Sequence, residues 1–99
     1  MNETEELTEV FKALSAPTRL RLVKLLGEYE GALCVNALAR RLDVSQSAVS
    51  QHLRVLRQTG LVKSERRGSS VHYLLDQDSL KQHLAKLRET FGAVLEDTK

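Results

Sequence analysis

The 99-residue chain has a single cysteine, Cys34, a single proline, Pro17, and no tryptophan. A lone cysteine excludes an internal disulfide and any cage of several thiolates within one chain, which rules out a zinc finger. Nowhere does an apolar run approach the roughly 18 residues needed to span a bilayer. No charged-then-apolar leader is present either, so the expected location is cytoplasmic, with no membrane partner. Paired carboxylates, a nucleophile elbow and a phosphate-cradling glycine loop are all missing. The serines lack a base placed to activate them, so the chain is not expected to be an enzyme. Repeats, linkers and low-complexity segments are likewise absent. At this length the chain forms one domain, residues 1–99, with a small core that would gain from a partner surface.

What the chain does have is charge sorted by position. The net charge is only +2, yet residues 1–10 hold four glutamates and no base, whereas residues 40–75 hold seven Arg or Lys against Asp43 and Glu65. Positive charge concentrated in one segment is the footprint of a protein that neutralises phosphates.

Hydrophobic periodicity divides the chain into elements. Leu7, Val10, Phe11 and Leu14 follow helical spacing, so a first amphipathic helix ends near Ser15. Ala16-Pro17 interrupts it, because the residue before proline avoids the helical region while proline suits the first turn of a new helix. A second helix runs from Pro17 to about Glu28 and buries Leu22, Leu25 and Leu26. Val35 to Leu42 form a short third helix, and Asp43-Val44-Ser45 is a turn whose serine is a good cap for the next helix. That fourth helix, Ser45 to Gly60, turns Val49, Leu53 and Leu56 inward and Gln46, Ser47, Ser50, Gln51 and Arg54 outward. Residues 61–75 read as two strands about a turn at Arg66-Arg67-Gly68-Ser69. From Gln77 onward Leu80, Leu84, Leu87, Phe91 and Val94 or Leu95 form the seam-like stripe of a long last helix.

The fold this predicts is mainly α with a small β-hairpin wing, in the order α-α-α-α-β-β-α: a winged helix-turn-helix. About three residues between the third and fourth helices force a sharp crossing, and an outer face of hydroxyls, amides and a guanidinium suits base edges and phosphates. Gln46, Ser47, Ser50 and Gln51 are the candidate base and phosphate contacts. Arg54 is placed to read guanine or to hold a phosphate, and Arg66 and Arg67 at the wing are candidates for minor-groove or phosphate contact. Arg19, Arg40 and Arg41 are weaker candidates. His52 has two readings, a proton switch or a packing and phosphate-contacting residue.

The segments ALSAPTRLRLVKLL (13–26), LARRLDVSQSAVSQHLRVLRQTGLV (38–62) and RRGSSVHYLL (66–75) resemble the ArsR/SmtB family of bacterial and archaeal repressors, and with the flanking helices the resemblance covers nearly the whole chain. It implies a repressor of double-stranded operator DNA that works as a homodimer through its first and last helices. The interface residues would be Leu7, Val10, Phe11, Leu80, Leu84, Leu87 and Phe91. Symmetry would then match an imperfect palindrome.

Many members of that family release DNA on binding a metal, and the ligand positions the resemblance implies are poorly filled here. The Cys-x-Cys pair becomes Cys34-Val35-Asn36, and the positions on the terminal helices fall on Gln77, Ser79, Thr90 and Ala93. None of these four is a good ligand. No metal and no cofactor is therefore expected. Asp76, Asp78, His72 and His83 could bind a metal only opportunistically. Cys34 is a candidate redox residue, with packing as its alternative role. The effector is left unknown. The competing function is a protein-interaction module that keeps the fold and captures another regulator, against which the basic reading helix and wing argue.

Overall fold

The computed structural model describes residues 1–96, with side chains described through Gly92. Its elements are α1 (Glu3–Leu14), α2 (Pro17–Glu28), β1 (Leu33–Cys34), α3 (Val35–Leu42), α4 (Gln46–Gln58), β2 (Val62–Arg67), β3 (Ser70–Leu75) and α5 (Gln77–Glu96). The winged helix-turn-helix order holds, with one addition. A short strand, β1, pairs antiparallel with β3 through Leu33↔Tyr73 and Cys34↔His72, so the wing sheet is three-stranded in the order β1-β3-β2 rather than a bare hairpin. Two residues are too few to show alternation; their pairing is set by contact with a strand far away in sequence.

Local chemistry sets the helix ends. The Asn2 side chain accepts from the Glu5 amide at 2.8 Å, and Glu3, Glu5 and Glu6 lie in the first turn of α1, where the helix dipole favours negative charge. Pro17 opens α2. The turn between α3 and α4 is made by Asp43 at φ 55, with the Val44 amide returning to the Ala39 carbonyl at 3.1 Å. Aspartate tolerates this left-handed backbone better than most residues, though less well than glycine. Ser45 then caps α4, its hydroxyl accepting from the Ala48 amide at 3.1 Å.

The fourth helix stops at Gln58, short of the expected Gly60. Gly60 follows at φ 78, and the Leu61 amide reaches the Leu56 carbonyl at 3.1 Å, which closes a Schellman motif and aims the chain into β2. At the wing tip Gly68 has φ 60 and no positive φ occurs at Ser69, the signs of a type II′ two-residue turn. Arg66 and Arg67 therefore lie on the strand, paired with Val71 and Ser70, and not in the turn. Because successive strand residues point to opposite faces, the two arginines do not share one.

One core joins these elements: Leu22 and Leu26 from α2, Leu38 and Leu42 from α3, Val49, Leu53 and Leu56 from α4, and Leu33, Leu61, Val62 and Leu75 around the sheet. Leu25 is only half-buried against it. The first helix is also packed inside the chain, which leaves Leu7 and Val10 of the expected interface little surface to offer a partner. Leu7 and Val10 are 5% and 6% exposed, because α1 lies on its own α2, α4 and α5 and its apolar stripe is used there. Lys86 of α5 pairs with Glu6 of α1. The ammonium, by hydrogen bond and by charge, holds the Glu6 carboxyl below the ordinary glutamate range, and Glu6 raises Lys86 in turn. On α1 and α5 the large apolar residues that face outward, among those described, are Phe11, Leu84 and Phe91, each 47% exposed or more, with Leu80 and Leu87 half-buried. Val94, Leu95 and Ala93 lie outside the residues whose side chains are described.

Candidate nucleic-acid interface

The fourth helix separates its faces cleanly. Val49, Leu53 and Leu56 are at most 1% exposed, which anchors the helix and fixes its rotation. Ser47, Ser50, Gln51 and Arg54, at i, i+3, i+4 and i+7, form an exposed stripe on the other side. Burial of the three apolar side chains stabilises by several kcal/mol, at about 1.5–3 kcal/mol each, so the polar stripe is presented by a rigid support.

Gln46 is also exposed, but it is not free. Its Nε2 donates to Oδ1 of Asn36, at the start of α3, at 2.7 Å. Asn36 is a residue of the site that sequence reasoning missed, since ten positions separate the pair and no periodicity connects them.

His52 is half-buried and faces the protein, with its Nδ1 3.2 Å from a terminal nitrogen of Arg19. The other Arg19 nitrogens donate to the Ala13 and Lys12 carbonyls at the end of α1. Arg19 therefore ties α1 to α4, its guanidinium engaged by groups of the chain itself. Arg40 and Arg41 are exposed on α3, and the Arg41 guanidinium lies 5.3 Å from the centre of the Tyr29 ring. Such stacking leaves the guanidinium edge open to a phosphate.

On the wing both arginines are exposed, but they differ. Arg67 donates from Nε to the Glu65 carboxylate at 2.9 Å, whereas no hydrogen bond or ion pair engages Arg66 among the described residues. The wing charge is thus partly neutralised from within.

Cys34 is half-buried at the start of α3. His72, its partner across the sheet, has a buried Nδ1 without a hydrogen-bond partner. Among the described residues no three His, Cys, Asp or Glu side chains converge as metal ligands would, so Asp76, Asp78, His72 and His83 are not brought together. Asp76 instead caps α5, accepting from the Ser79 amide at 3.1 Å, and Thr90 donates to the Lys86 carbonyl at 2.8 Å. No described helix is long and apolar enough to cross a membrane.

The family model for bacterial regulatory proteins of the arsR family matches residues 16–64, from the start of α2 through the turn and reading helix into the wing. An ArsR-like transcriptional regulator from Rhodococcus superposes with a TM-score of 0.80 at 34% identity, over 95% of this chain and 86% of that one. The chain belongs to the ArsR family. It is a DNA-binding transcriptional regulator of that family, whose members are not enzymes. Its sequence is 45% identical over 75 residues to a SmtB-homologue transcriptional repressor of Synechocystis, covering 76% of this chain and 55% of that relative. The chain thus spans just over half of that repressor's length. A homodimeric winged helix-turn-helix DNA-binding domain from Mycobacterium bovis is similar at 26% identity and a TM-score of 0.71, over 89% of this chain and 82% of that one.

Proposed function

We propose that this ArsR-family chain is a homodimeric repressor that binds an imperfect palindrome in double-stranded DNA near a promoter and blocks polymerase there. The observation that carries the reading is the exposed stripe Ser47, Ser50, Gln51 and Arg54 on a helix whose opposite face is fully buried. Gln51 and Gln46 suit adenine, the serines suit several partners, and Arg54 and Arg66 suit phosphates. Phe11, Leu84 and Phe91 face outward on the first and last helices with the half-buried Leu87 beside them on α5, and a second copy of the chain is their occupant in this reading. The homodimeric state of the mycobacterial relative supports dimerisation. Dimerisation doubles the recognition elements and makes the operator symmetric.

The repressor so proposed does not respond to metal through the usual family positions, since Asn36, Gln77, Ser79, Thr90 and Ala93 occupy them. An effector must bind one state better than the other, and these side chains offer zinc or cadmium no such difference.

A mobility-shift titration with the protein's own upstream region tests the reading. Binding that survives excess nonspecific duplex and is unaffected by zinc is the expected result. Failure to prefer any upstream duplex would instead favour a protein-capturing module.

A further inference from the structure

The two N-termini of the helix-turn-helix meet at one hydrogen bond. Gln46, the first residue of α4, and Asn36, the second residue of α3, are both exposed, and Gln46 Nε2 donates to Asn36 Oδ1 at 2.7 Å. A free glutamine on a DNA-facing surface has three torsions to fix before its amide can read a base, and it can present that amide either way round. Here one N–H is committed to Asn36. That choice orients the amide and leaves Oε1 and the second N–H of an exposed side chain without a protein partner among the described residues. One acceptor beside one donor is the pattern adenine answers in the major groove, through its N6 amine and N7.

We propose that Asn36 is a specificity-determining positioning residue, acting through Gln46 and not by touching DNA: it holds the Gln46 amide in the orientation that reads an A·T pair once in each half-site. The proposal rests on the operator reading above. Holding the amide in advance removes an ordering cost that binding would otherwise bear, and only for sequences that use the amide. Asn36 should therefore affect discrimination and leave general affinity alone.

The experiment selects preferred duplexes from a randomised pool with the full chain. It then measures competition between the preferred duplex and its single-pair variants for wild type, Asn36→Ala, Gln46→Ala, the double variant and Asn36→Asp. Both positions are exposed, and thermal melting checks that each variant remains folded.

The expected result has four parts. Gln46→Ala identifies the pair that Gln46 reads. Asn36→Ala lowers preference at that same pair by about threefold to tenfold, while nonspecific affinity and its salt slope stay at wild-type values. Added to Gln46→Ala, Asn36→Ala changes nothing further. Asn36→Asp keeps the acceptor and hence the preference, while its new negative charge weakens binding to every duplex. A uniform loss with Asn36→Ala, or the same loss in the Gln46→Ala background, overturns the proposal and makes Asn36 a direct backbone contact. Wild-type preference untouched by Asn36→Ala, or by Gln46→Ala, overturns it alone. A wild type with no sequence preference refutes the operator reading as well.

Discussion

Replacing Glu65 with Gln should make this regulator bind DNA more tightly and with a steeper dependence on salt. In each chain the wing strand carries Lys63, Arg66 and Arg67 against Glu65, a net charge of +2 by 3 − 1. Glu65 and Arg67 form an exposed pair, with side chains 44% and 54% accessible. Breaking such a pair costs about 0–1 kcal/mol of stability. It frees one guanidinium per chain and removes one negative charge from the wing. Each added phosphate contact contributes about 0.9 to the slope of log K against log salt, so two wings in a dimer add about 1.8. Relative to binding extrapolated to 1 M salt, that slope amounts to at most about sixtyfold tighter binding at 0.1 M.

Fluorescence anisotropy with a labelled duplex over a salt series reads both quantities. Arg66→Ala, which removes an unpaired guanidinium, should flatten the slope by about 1.8, and Arg67→Ala should flatten it less because Glu65 competes for that side chain. In the Glu65→Gln background Arg67→Ala should abolish the gain. An unchanged slope for both Glu65→Gln and Arg66→Ala would remove the wing from the interface. Weaker binding by Glu65→Gln would mean that the ion pair shapes the wing for contact.

The reading helix should respond differently from the wing: Ser50→Ala and Gln51→Ala are each expected to cost about 1–3 kcal/mol at a true base contact and to relax preference at particular pairs in a competition footprint. Gly60→Ala should lower stability by about 1 kcal/mol in urea unfolding, because an added Cβ meets the Ser79 hydroxyl oxygen at an ordinary 3.5 Å and the cost is that of a left-handed backbone. The pair of Glu6 with Lys86 should make the packing of α1 on α5 acid-sensitive. Because the folded Glu6 carboxyl titrates below the ordinary glutamate range, its stabilisation is present above that range and is lost as pH falls through the folded value. Glu6→Gln should remove that component from thermal melts taken as a pH series, and an identical pH profile in the variant would contradict it.

Helix limits were legible where the chemistry is local. Pro17 starts α2, Ser45 caps α4, and the Val49, Leu53 and Leu56 spacing fixes which face of α4 is left exposed. Elements that depend on distant partners were not. The two-residue β1 exists through β3, and the Asn36 to Gln46 bond joins two helix starts that carry no common pattern. Periodicity marked Leu7 and Val10 as apolar, but it does not say which surface covers them, and the chain's own helices do. Charge counting found Arg66 and Arg67, while strand alternation and Glu65 make them unequal. Periodicity gave no sign of Arg19's role, because its three acceptors come from the end of α1 and from His52.

The stoichiometry of binding tests the central claim most directly. Sedimentation velocity of a labelled duplex carrying both half-sites of the selected operator should show two chains bound together, with a duplex carrying one half-site bound far more weakly. Leu87→Asp, which sets a charge at a half-buried position of α5 beside the exposed Leu84 and Phe91, should abolish the two-chain complex. A single chain that binds the full and the half operator with equal affinity, unaffected by Leu87→Asp, would contradict the account.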